Sequence, residues 1–173
     1  MRIVVCVKHV PDMQSERRFE GGRLVRGEDD VLNELDENAI EAAVQLKESE
    51  EDAGREAEVV ALTMGPEDAE DSLMRALQMG ADRAYIVSDE FLEGSDVITT
   101  ASVLAVAIAK ISEECGPVDL VITGMASLDA MTSMLPGALA AKAHMPLLGL
   151  ARSLSVADGA VTFERAVAGY TET

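Results

Sequence analysis

Residues 118–142 read VDLVITGMASLDAMTSMLPGALAAK. Residues 118–123 are apolar enough for a strand buried on both faces. Gly124 ends that run, and a loop of small and hydroxyl-bearing residues follows. A helix is expected to open with Ser133 as its N-cap and Pro136 in its first turn, where a missing N–H costs nothing. Such a strand-to-helix passage aims free backbone N–H groups and the positive end of the helix dipole at one point. That is the phosphate end of a nucleotide pocket. The alternative is an ordinary strand-loop-helix connection, of which every α/β domain has several.

The same alternation of strand and helix runs upstream. Residues 2–7 (RIVVCV) predict a central strand, with Lys8, His9, Val10, Pro11 and Asp12 leaving its C-terminal end. Residues 17–26 (RRFEGGRLVR) predict a small surface hairpin turning at Gly21-Gly22. Residues 29–37 read as an acidic loop, and residues 37–50 as an amphipathic helix. Residues 58–64 (EVVALTM) form the second core strand, closed by Gly65-Pro66. A helix then runs through Met79, with Gly80 as its stop signal. Residues 83–87 make a third strand, and Ser95 or Asp96 opens a long Ala-rich helix to about Glu114. Beyond Pro146 two alternating runs around Asp158-Gly159 predict a second hairpin.

This order predicts an α/β fold: a three-layer, doubly wound, mostly parallel sheet of the Rossmann-like adenine-nucleotide-binding type, with a C-terminal antiparallel hairpin. Residues 1–145 form the nucleotide-binding domain and residues 146–173 extend it. Ligands of such sheets sit beyond the C-terminal strand ends, where strand order reverses. If the first and fourth strands are neighbours, Cys6-Val7-Lys8 and Thr123-Gly124 border one crevice. Neither G-x-G-x-x-G nor a Walker A loop is present.

Composition narrows the function classes. The 173 residues are 48% hydrophobic, so one domain can build a core of aliphatic residues, with only 3% aromatics and no Trp. A net charge of -18 repels nucleic acid and anionic membrane, so any anionic ligand needs a local positive field. The two cysteines, Cys6 and Cys115, have no metal-ligand spacing and make a disulfide framework unexpected. The N-terminal apolar run is too short for a signal peptide, and no run approaches membrane-span length, so a cytoplasmic protein is expected. His9 and His144 accompany no nucleophile motif, and the acids read as solvated helix faces; an enzyme is not expected.

Four stretches together resemble the beta subunit of electron transfer flavoprotein. They are IVVCVKHVPD, NELDENAIEAAVQLKE, VVALTMGPEDAEDSLMRALQMGADRAYIV and DLVITGMASLDAMTSMLPGALA. The loop start Gly124-Met-Ala-Ser is similar to actinobacteria-like members. The resemblance implies a chain that binds AMP, or a second FAD, and supports the FAD of an alpha-subunit partner. Electrons would pass from flavin dehydrogenases, and the beta chain would have no catalytic residues of its own. On the adenine and ribose side it implies Cys6, Asn33 and Met64; core packing for Cys6 and Met64, and a turn role for Asn33, are the alternatives. On the phosphate side it implies Ser127, Asp129, Thr132, Ser133, and Met134 and Leu135 through their backbone N–H groups. Two departures stand out. The family's Asn-Gln-Thr before the helix is replaced, with Ser133 in the Asn position, so weaker AMP binding is expected. The family's C-terminal arm is missing, which implies a truncated or degenerate member and leaves a homodimer open. A stand-alone adenine-nucleotide sensor of the universal-stress type is the alternative, although its Gly-rich phosphate loop is absent. An adenylating enzyme would want a phosphate motif that Lys8-His9-Val10-Pro11 is not.

Overall fold

The computed structural model describes residues 1–27, 29–157 and 159–173. In chain order the elements are β1 (Arg2–Cys6), β2 (His9–Pro11), β3 (Phe19–Glu20), β4 (Arg23–Leu24), β5 (Asp30–Leu32), α1 (Glu34–Asp52), β6 (Glu58–Met64) and α2 (Glu70–Gln78). Then come β7 (Arg83–Val87), α3 (Val97–Cys115), β8 (Leu120–Thr123), α4 (Leu135–Ala143), β9 (Ser153–Ala157), β10 (Ala160–Val167) and β11 (Tyr170–Glu172).

The β-branched run of β1 is central because it is paired on both sides. It runs parallel to β6 and to β8, and the four-stranded sheet has the order β7-β6-β1-β8. Period-two alternation splits the core into two layers. Ile3, Val5, Val59 and Ala61 pack with Ile40, Ala43, Leu73 and Ala76 of α1 and α2. Val4, Cys6, Val60 and Leu62 pack with Leu104, Ile108 and Leu139 of α3 and α4. The three-layer doubly wound arrangement read from the sequence is therefore the fold. One correction concerns β8, whose four residues are all only half-buried, because it is an edge strand paired to β1 alone.

Local stop signals behave as read. Gly21 (φ 57) and Gly22 (φ 80) make the two-residue turn between β3 and β4, where both positions need positive φ. Helix α2 ends in a Schellman motif: Gly80 N–H donates to Leu77 O and Ala81 N–H to Ala76 O. The Asp96 carboxylate caps α3 by accepting from Thr99 N–H at 2.7 Å. Strands β9 and β10 form the expected C-terminal hairpin, and β11 adds a third strand that alternation did not announce. Asp158, read as part of that turn, lies outside the described residues.

Two expectations fail for non-local reasons. Residues 29–37 are not a loop: residues 30–32 pair antiparallel with residues 9–11, and α1 begins at Glu34, so Asp36 lies in its first turn. Ser133 is not the cap of α4. Met134 holds the N-cap position, with no side-chain cap bond, and Ser133 sits at φ 51 in the left-handed region. Pro136 does fall in the first turn of α4.

Candidate functional site

Strand order reverses between β1 and β8, so the crevice beyond their C-terminal ends is the switch point of this sheet. Cys6 stands opposite Thr123 in the ladder, with Lys8 two residues beyond the one and Gly124 next after the other. The first expected juxtaposition is therefore present.

Three buried or half-buried polar groups knit that point together. Asn33, fully buried, donates from Nδ2 to Ala126 O at 2.9 Å and accepts Leu128 N–H at 3.1 Å. Its own backbone N–H donates to Lys8 O at 2.9 Å. The Asp36 carboxylate accepts Lys8 N–H at 2.8 Å and the Gly124 N–H, so one side chain joins the ends of β1 and β8. A Cβ on Gly124 would lie 2.1 Å from Asp36 Oδ1 and 3.0 Å from Leu35 O, which explains a glycine there. Burial raises the Asp36 carboxyl to about 6, against the lowering effect of its bonds to Lys8, Asn33 and Gly124. Burial, with Asp36 nearby, pushes the Cys6 thiol up to about 12, so Cys6 is an un-ionised packing group.

The loop after Gly124 is pinned by cations. Lys8 Nζ contacts both oxygens of Asp129, at 2.8 and 2.9 Å, and lies 3.4 Å from Ser127 Oγ. Arg26 Nη2 bonds the same Asp129 carboxylate, while Arg26 Nη1 donates to His9 O at 3.4 Å. Arg17 Nη2 donates to Leu128 O at 3.2 Å. The hairpin of β3 and β4 is thus strapped to the loop at both of its ends. Burial would raise the Asp129 carboxyl, but the bonds from Lys8, Arg26 and Ser127 outweigh it and hold it well below the usual carboxylate range. Further along, Met131 and Ser133 both sit at φ 51. Each costs about 1–2 kcal/mol relative to a right-handed conformation, so the loop's shape is imposed by its anchors.

The structure thus brings Asn33, Ser127 and Asp129 together around Lys8. Thr132, Ser133, Met134 and Leu135 follow on the same loop into α4; Thr132 Oγ1 accepts Met134 N–H at 3.5 Å. Leu135 opens α4, where a first-turn N–H has no intrahelical acceptor. Cys6 and Met64 lie at the C-terminal ends of neighbouring strands and pack against the α3–α4 side of the sheet. Arg17, Arg26 and the bridging role of Asp36 were missed from the sequence. The available signal was four arginines in residues 17–26 of a chain carrying a net charge of -18. Two hollows lie elsewhere. An apolar cavity of about 470 Å³ between β7 and α3 is lined by Tyr85, Val87, Val106 and Lys110. A polar one of about 870 Å³ lies at the N-terminal strand ends, around Arg2, Glu58 and Asp119.

The model of the electron transfer flavoprotein domain matches residues 22–173. The electron transfer flavoprotein beta subunit of Mycobacterium leprae is 39% identical over 166 residues, covering 94% of this chain and 61% of the relative. The corresponding subunit of Megasphaera elsdenii is 36% identical over 170 residues, covering 95% of this chain and 61% of the relative. Subunit CarD of the caffeyl-CoA reductase-Etf complex of Acetobacterium woodii is 36% identical over 160 residues, covering 91% and 58%. The chain spans about three fifths of the length of these curated relatives.

Proposed function

Because the chain belongs to the electron transfer flavoprotein domain family, we propose that it is a beta-type electron transfer subunit. It holds an adenine nucleotide at the β1–β8 switch point and supports the FAD of an alpha-subunit partner. The observation that carries this reading is the joining of the loop at residues 126–129 to the end of β1 through Asn33, Asp36 and Lys8. The donor set fits an adenosine phosphate. Ser127, Thr132 and Ser133 offer hydroxyls, the start of α4 offers the N–H of Leu135 and that of Met134, which is held only by a 3.5 Å contact to Thr132 Oγ1, and Lys8 supplies charge. The Asn33 amide is taken up by Ala126 O, Leu128 N–H and the Asp36 carboxylate, so its part on the adenine side is to hold the loop on which the guest rests. Cys6 and Met64 would pack beneath the ring, and Asp129 sets the loop.

AMP is the proposed resident guest, with a second FAD as the alternative occupant of the same place. The partner's flavin supplies the electron-carrying chemistry when bound, and this chain's residues bind and orient. Flavin dehydrogenases are the proposed donors. The name of the Acetobacterium woodii relative, a subunit of a reductase-Etf complex, supports such an assembly. Residues 146–173 extend the same domain, because Leu154 and Val156 of β9 pack on the α1–α2 side of its core. No described helix is long and apolar enough to cross a membrane. A cytoplasmic location belongs to the same proposal.

The test is mass spectrometry of ligand released when the purified chain is denatured, alone and after co-expression with an alpha subunit. AMP from the chain alone, with flavin gained only alongside the partner, is the expected result. ATP, or no nucleotide in either preparation, would overturn the reading.

A further inference from the structure

We propose that Lys8 and Arg26 are the phosphate-binding cations of this site, and that Asp129 is their resident counter-ion, giving way when the phosphate dianion of a nucleotide enters. This rests on the nucleotide reading above and adds residues and an order of events to it.

The first argument is charge. The chain as a whole repels anions, so the ligand must be drawn by a local field. Among the described residues Lys8 and Arg26 both bond the one Asp129 carboxylate, and Asp36 adds a negative charge that acts on Lys8 without bonding its ammonium. With Asp129 swung away, two positive charges would face the two negative charges of a phosphomonoester. With Asp129 in place, its carboxylate competes with the ligand for the same donors.

The second argument is exposure. The Asp129 side chain is 1% exposed, while those of Lys8 and Arg26 are 41% and 38% exposed. An anion arriving from solvent therefore meets the cations before it meets the carboxylate. Ser127 Oγ, 3.4 Å from Lys8 Nζ, stands ready as a further polar contact.

The third argument is connection. Asp129 shares a loop with Met131 and Ser133, the two non-glycine residues of that loop held at positive φ. Exchange of Asp129 for phosphate would free the loop to relax, and would release Arg26 from it, leaving the Arg17–Leu128 bond as the strap of the β3–β4 hairpin. Because the carboxyl stays ionised well below neutral pH, the exchange is set by the ligand's charge and not by titration of Asp129.

The experiment is calorimetric titration of the purified chain and of Lys8→Met, Arg26→Met and Asp129→Asn with AMP and with adenosine. The two methionine variants should each lose about tenfold or more in AMP affinity, the scale of a charge-assisted hydrogen bond, with adenosine affinity unchanged. Asp129→Asn should bind AMP about tenfold more tightly. AMP binding at wild-type strength in both methionine variants would overturn the cation assignment and leave the nucleotide reading standing. Weaker AMP binding by a folded Asp129→Asn would overturn the counter-ion role, because the carboxylate would then be a scaffold for the cations. If Asp129→Asn does not fold, raised AMP affinity in Asp129→Ser supports that role, and lowered or unchanged affinity overturns it. If neither AMP nor adenosine binds any variant, the nucleotide reading has failed, and inorganic pyrophosphate becomes the probe. Pyrophosphate binding to Asp129→Asn that disappears when Lys8→Met is added supports the anion site on its own. No pyrophosphate binding overturns it.

Discussion

Each end of the sheet carries a carboxylate bonded by two cations, and the two clusters behave differently. At the N-terminal end, Glu58 of β6 accepts from Arg2 Nε of β1 at 2.7 Å and from Arg83 Nε of β7 at 2.6 Å. All three sit on adjacent strands, with Arg2 and Glu58 directly opposite in the ladder. The backbone has already placed the charges, and Glu58 is 20% exposed, so solvent screens much of the gain. At the C-terminal end, Asp129 lies on a loop, and its partners come from a strand end and a surface hairpin. There the charges place the backbone. The same three-charge composition staples a finished ladder at one end and shapes an otherwise unfavourable loop at the other.

That contrast can be broken at several points. The largest effect is expected for Asn33→Ala, which strands Ala126 O and Leu128 N–H inside the protein. A loss of about 3 kcal/mol in chemical denaturation is expected, together with loss of retained nucleotide. A loss below 1 kcal/mol would mean that the loop does not depend on this clamp.

Next comes pH. The Asp36 carboxyl is raised to about 6 in the folded chain, above its unfolded value, so the native state binds the extra proton between about pH 4 and 6. Stability from this group therefore falls as pH rises through that window, by on the order of 2–3 kcal/mol. Asp129 has the opposite sign: its carboxyl is depressed, so its contribution is present above about pH 4 and is lost on acidification below it. Thermal melts of Asp36→Asn should lose the decline between pH 4 and 6 that the parent shows. An unchanged slope would assign that decline to other acids.

Ser133→Gly sharpens the comparison in the other direction. It removes the Cβ penalty at φ 51 and should gain about 1 kcal/mol by denaturation, an effect with no counterpart at the N-terminal end. No gain would mean that Ser133 already pays for its conformation through a contact in solution. The smallest change is expected for Glu58→Gln, below about 1 kcal/mol, with nucleotide retention untouched. A larger loss, or a change in retention, would show that the two ends are coupled through β1 and β6.

How much was readable follows from the same contrast. The runs at residues 2–7 and 58–64, the Gly21-Gly22 turn and the Gly80 stop each act through neighbours in the chain, and each took the form expected of it. The start of α1 and the cap of α4 were misplaced because distant partners overrode local preference. Residues 30–32 pair with residues 9–11, and residues 126–129 answer to Lys8, Arg26 and Asn33 from more than ninety positions away. Asn33 was singled out for its amide, and the structure employs that amide first to hold the loop.

The amino-acid order alone determined the α/β architecture, because hydrophobic period and turn chemistry are written in consecutive residues; the family was carried by the resemblance of four particular stretches. Only the tertiary structure decided which charges meet. Lys8 and Asp129 are 121 residues apart, and no local rule brings them within 2.8 Å. The sheet order does, by setting β8 beside β1 and aiming both chain ends into one crevice.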